Sequence, residues 1–94
     1  MSNMSDKDKE QEFLWKVINH FGISGQKVKA IEELGELIVA LSKSLNGKAS
    51  YEDVVTEIAD VYIMVEQLKL IYGPEKVQWF INYKLDRVAE RIRK

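Results

Sequence analysis

Apolar positions in this chain recur every three or four residues, the spacing of one helix face, and no segment alternates cleanly between apolar and polar as a strand does. Phe13, Leu14, Val17 and Ile18 fall on one side of a first helix predicted over residues 10–20. Residues 1–9 are polar and carry no aromatic, which predicts a disordered N-terminal tail. Phe21-Gly22-Ile23-Ser24-Gly25 reads as a turn, with Ser24 as the N-cap of a second helix over 25–45. Asn46-Gly47 supplies a left-handed stop. Ser50 and Asp53 form the pattern of a capping box, with Asp in place of Glu, opening a third helix over 51–72. Gly73-Pro74 closes that helix and starts a fourth, over 75–91, because proline is tolerated in the first helical turn. The expected fold is all-α, a four-helix bundle-like protomer in a single domain over 10–94.

The helices differ in how their apolar residues wind. On the second, Val28, Ile31, Leu34, Ile38, Leu41 and Leu45 form the main stripe. Glu32, Glu33 and Glu36 lie together on the other side, which by itself is most simply a solvated face. The third helix is apolar nearly all round from Val54 to Ile71, and such a helix is expected to be buried. The fourth carries Val77, Phe80, Ile81, Leu85, Val88 and Ile92, with Lys84 inside the stripe and Arg87 and Arg91 at its edge.

Chemistry enters with two matched pairs of acids, Glu33-Leu-Gly-Glu36 and Glu57-Ile-Ala-Asp60. A spacing of three puts both acids of a pair on one helix face, and antiparallel packing of the two helices brings all four together. Carboxylates on an otherwise apolar helix carry a desolvation cost and repel each other. They require a cation. An all-oxygen donor set suits a hard divalent ion such as Mg²⁺. Lys84 is the other candidate, either as a salt-bridge partner of Glu57 or Asp60 or as a phosphate ligand facing the same cavity. The pattern leaves a metal site, a buried ion-pair network and solvated acids open as readings.

Bulk properties narrow the function classes. The 94 residues fit one domain, and so short a chain buries a limited core, so self-association is expected. Fourteen basic residues against fifteen acidic ones leave a net charge of −1, with no basic excess to attract a nucleic acid. Cysteine is absent, which excludes disulfides, thiolate metal sites and a Cys nucleophile. No apolar run approaches a membrane span, and the N-terminal stretch has no apolar signal region, so a cytoplasmic protein with no membrane partner is expected.

Glu32-Glu33-Leu-Gly-Glu36 followed by Glu57-Ile-Ala-Asp60 resembles the EExxE…ExxD signature of MazG-like nucleoside triphosphate pyrophosphohydrolases, within the all-α NTP pyrophosphatases. The resemblance runs from about Gln26 to Arg91 and includes the Asn82-Tyr-Lys84-Leu-Asp-Arg87 segment. It implies a homodimer or dimer of dimers that hydrolyses an NTP or dNTP to monophosphate and pyrophosphate. It also implies Mg²⁺, with Mn²⁺ as a substitute, held by Glu33, Glu36, Glu57 and Asp60. Glu32 would support the site or orient the attacking water, Lys84 and Arg87 would hold phosphate oxygens, and Asn82 would contact sugar or phosphate.

The base needs an aromatic partner, for which Trp15, Trp79, Phe13, Phe80 and Tyr83 are candidates, with Trp15 the expected substrate contact. Gln26 and Lys29 precede the acids by one or two turns, within reach of substrate or solvent. A ferritin-like di-iron site would need Glu-x-x-His motifs, and the single His20 lies in none. The competing class is a non-catalytic helical dimer that uses the same acids as a binding or regulatory module.

Overall fold

Ser5, not a later residue, opens the first helix. Its hydroxyl accepts the backbone N–H of Asp8 at 3.1 Å, and Asp6 and Asp8 add negative charge to the first turn, where the helix dipole favours it. The computed structural model describes residues 4–93. Its helices are α1 (Asp6–Phe21), α2 (Ile23–Leu45), α3 (Tyr51–Tyr72) and α4 (Pro74–Arg93), with no strand among the described residues. The all-helical expectation therefore holds, and two boundaries are corrected. Residues 6–9 of the expected tail are helical, whereas residues 1–3 lie outside the described residues. α2 starts at Ile23 behind Gly22, so Ser24 lies inside the helix and is not its cap. Gly22 takes φ +86°, which lets the chain turn from α1 into α2 without a loop.

The other junctions follow local chemistry. Gly47 at φ +69° provides the left-handed turn after α2. The capping box at α3 is complete: Asp53 N–H donates to Ser50 Oγ at 3.1 Å and Ser50 N–H to Asp53 Oδ2 at 2.9 Å. α2 and α3 then form a long antiparallel hairpin. α1 packs across both helices at one end, and α4 packs only against α3. The apolar core is small and lies at the α1 end, where Leu14, Ile18 and Leu70 meet with Ile71 against them.

Two expectations about faces are overturned. The apolar stripe of α2 points outward, with Val28 64% and Ile31 70% exposed, while Gln26, Ala30, Glu33 and Ala40 are buried against α3. α3 is not buried all round either: only Met64, Gln67 and Leu70 are, while Val55, Ile58, Tyr62 and Ile63 are exposed. α4 buries no residue. The radius of gyration is 16.4 Å, where a compact chain of this length has about 12 Å. Small and polar residues make the α2–α3 seam because two helices approach most closely where side chains are short, and the acids occupy the gap. No described helix is long and apolar enough to cross a membrane.

Candidate metal centre

A single buried hydrogen bond marks the register of the hairpin. Gln26 Nε2 on α2 donates to Gln67 Oε1 on α3 at 2.7 Å, and Gln67 Nε2 reaches Met64 Sδ at 3.7 Å. Gln67 is 1% exposed, so neither amide has water as an alternative partner. Seven residues are two helical turns. Two turns along from this pair, Glu33 on α2 therefore comes level with Asp60 on α3, and Glu36 with Glu57 in the following turn. Gln26 is a buried register residue in this protomer, with its side-chain amide directed to Gln67.

That register gathers all five acids of the motif. Carboxylate oxygens of Glu33, Glu57 and Asp60 lie within 4.8 Å of one another, and so do those of Glu32, Glu33 and Glu36. Glu33 belongs to both groups and is the most enclosed, at 7% exposed. Glu57 is half-buried, Glu32 and Glu36 are exposed at the cleft, and Asp60 is exposed beside it. One ammonium serves the cluster: Lys29 Nζ is 3.3 Å from Glu33 Oε1 and 3.4 Å from Glu32 Oε1. The hydrogen bond to Glu33 and the charge of Glu32 hold the Lys29 ammonium above its ordinary pKa.

Among the described residues two buried side-chain oxygens remain without a partner, Glu33 Oε2 and Glu57 Oε2. An acceptor shielded from water and left unpaired is costly, and more so when ionised. Burial pushes the Glu57 carboxyl above its ordinary pKa, and the charges of Glu36, Asp60 and Glu33 push it the same way. Orphaned acceptors, converging acids and the lack of nitrogen or sulfur donors fit a hard divalent cation. Glu33, Glu36, Glu57 and Asp60 would hold it.

The remaining residues singled out by sequence do not join the acids within one protomer. Lys84 makes no ion pair among the described residues and lines a separate groove with Tyr72, Lys76 and Phe80. Asn82 Oδ1 accepts from Gln78 Nε2 at 3.0 Å on the outside of α4. The Arg87 guanidinium sits 6.0 Å from the Tyr83 ring centre, and Tyr83 stacks in turn on Trp79. Trp15 is partly exposed on α1 and does not line the acid cleft. Sequence reasoning missed Lys29 as the resident counter-charge, although its i+3 and i+4 spacing to Glu32 and Glu33 carries that signal. It also missed Lys43, Lys48 and Thr56, which line the cleft beside the acids. No family model, curated protein or solved structure matches this chain.

Proposed function

We propose that this chain is a Mg²⁺-dependent nucleoside triphosphate pyrophosphohydrolase of the MazG-like kind, converting an NTP or dNTP to monophosphate and pyrophosphate. The observation that carries this reading is the buried, unpartnered Glu33 Oε2 at the meeting point of five carboxylates. Mg²⁺, or Mn²⁺ in its place, would supply positive charge against the phosphates and a more acidic water there. Glu33, Glu36, Glu57 and Asp60 would hold the cation, and Lys29 fixes the Glu33 carboxylate through its 3.3 Å contact. Glu32 sits at the exposed rim, where its carboxylate can orient a water.

Association of two or four copies is part of the same reading. The protomer exposes 7548 Å², against about 5,600 Å² for a monomeric protein of its mass. The excess, roughly 2,000 Å² per chain, is the scale of an obligate interface. The apolar stripes of α2 and α4 are the natural contributors. A second copy also offers a route by which α4, with Lys84 on one side and Arg87 on another, approaches an acid cleft that neither residue lines in its own chain.

That separation is also what favours the alternative, a non-catalytic helical dimer that binds metal or a partner without turnover. Purified protein incubated with Mg²⁺ and a panel of NTPs and dNTPs separates the two. The enzyme reading expects monophosphate and pyrophosphate in equal amounts, abolished by EDTA and reduced at least about 100-fold by Glu57→Gln, more than an outer partner of a ligand would cost. No release across the panel, with Mg²⁺ binding intact, moves the assignment to the binding module.

A further inference from the structure

Three of the five clustered acids, Glu32, Glu36 and Glu57, line one end of a cleft, and Glu33 and Asp60 lie beside it. Its volume is about 700 Å³, and it continues from Glu32, Glu36 and Glu57 toward the α2–α3 loop, where Lys43 and Lys48 line it. Glu36 and Lys43 are seven residues apart on α2, so they share a face about 10 Å apart along the axis. Lys48 comes from the loop itself. The floor between is small, with Gly35, Ala40 and Ala49, and leaves room for a ligand.

Neither lysine makes an ion pair among the described residues. Asp53, the one acid at that end, is engaged in the α3 cap, where hydrogen bonds with Ser50 hold its carboxyl below its ordinary pKa and the Lys43 charge, without an ion-pair contact, acts the same way. The two ammonium groups are flexible point charges of the kind that hold phosphate. No aromatic side chain lines the cleft, so a base finds nothing to stack on there. The cleft is therefore suited to a cation-bound polyanion at one end and its free negative charge at the other.

We infer that Lys43 and Lys48 hold the leaving pyrophosphate, so that the triphosphate runs from the acid cluster toward the α2–α3 loop and the nucleoside projects away from that loop. This rests on the pyrophosphohydrolase reading and gives it a direction. As the water oxygen bonds to the α-phosphorus, the bond from that phosphorus to the bridging oxygen breaks. The electron pair stays on pyrophosphate, whose gained charge faces the two ammonium groups. One water proton remains on the monophosphate and the other is released to solvent. Without a cation the net-acidic cleft repels any phosphate, so pyrophosphate binding requires the metal first.

Calorimetric titrations test this with three probes: Mg²⁺ alone, pyrophosphate alone, and pyrophosphate at saturating Mg²⁺. The expected result for Lys43→Gln/Lys48→Gln is unchanged Mg²⁺ affinity and a pyrophosphate Kd raised at least about tenfold, or 1.4 kcal/mol. Lys43→Arg/Lys48→Arg should recover most of it, and Lys16→Gln, an exposed lysine of α1 outside the cleft, should not reproduce the loss. A double variant that takes up Mg²⁺-pyrophosphate as the wild type does overturns the lysine assignment. Wild type that binds Mg²⁺ but no pyrophosphate overturns it too and leaves the metal centre standing. Wild type without Mg²⁺ affinity overturns both.

Discussion

The α2–α3 seam and the α4 helix invert each other. The seam buries Gln26, Glu33 and Gln67, residues that ordinarily seek water, and turns Val28, Ile31 and Ile38 outward. α4 has an apolar stripe of Val77, Phe80, Ile81, Leu85 and Val88 and buries none of it. A seam of polar and small residues contributes little hydrophobic stabilisation but specifies register, because a buried amide pair or acid cluster is satisfied in only one alignment. A slip of one turn shifts the helices by 5.4 Å and orphans both glutamines. An exposed apolar stripe does the opposite: it supplies stabilisation and little alignment, and only when covered. The difference teaches that the closest helix contact in the protomer is organised by polar and small residues, while much of its apolar surface stays exposed.

The largest effect should come from breaking the α4 side of this comparison. Phe80→Asp with Ile81→Asp removes two apolar side chains worth about 2 kcal/mol each when covered, and a two-fold interface counts each change twice. Sedimentation at micromolar concentration should show an associated wild type and a monomeric variant, with a thermal midpoint at least about 5 °C lower. A wild type that sediments as a monomer breaks the comparison outright.

A smaller effect belongs to the seam. Gln67→Ala leaves the buried Gln26 amide without its acceptor and should cost about 1–3 kcal/mol in urea unfolding. Gln26→Leu with Gln67→Leu removes both partners and should recover much of that loss. If the single and double variants lose the same stability, the hydrogen bond does not set the seam.

The smallest effect is on pH. Glu57 has a raised folded pKa, so charging it opposes folding of the metal-free protein. That penalty is full above its raised pKa and absent below the ordinary carboxylate value, so metal-free stability should rise as pH falls through this window. Asp53 has a depressed folded pKa, so its contribution is present above the ordinary value and lost as pH falls through the folded one, at lower pH. Thermal melts against pH should therefore pass through a shallow maximum. Glu57→Gln should remove the upper limb and leave the acid limb, and a profile unchanged by that substitution removes Glu57 as its source.

Much of the local architecture was legible before any fold was known. The Ser50–Asp53 box, the Asn46-Gly47 stop and the Gly73-Pro74 break act through neighbours in sequence, and each sits where the pattern puts it. The two acid pairs were legible as well, since a spacing of three puts them on one face whatever surrounds the helix. Ser24 was misread because Gly22 could end one helix and admit the next at once. Lys43 and Lys48 gave no signal, being ordinary exposed lysines until the hairpin brings the acids into the same cleft.

The sequence by itself determined four helices, the Ser50 cap of α3, the breaks at Gly47 and Gly73 and the two acid-bearing faces, because periodicity and capping depend on hydrogen bonds within a few residues of chain. The tertiary structure decided which face of α2 turns inward. Hydrophobic periodicity names a stripe that must be covered but says nothing of what covers it, and here that stripe is left to the outside. The inward face went to Ala30, Ala40, Gln26 and Glu33, whose short or hydrogen-bonding side chains let α2 and α3 close on one another. Only that choice brings Glu33 beside Glu57 and Asp60.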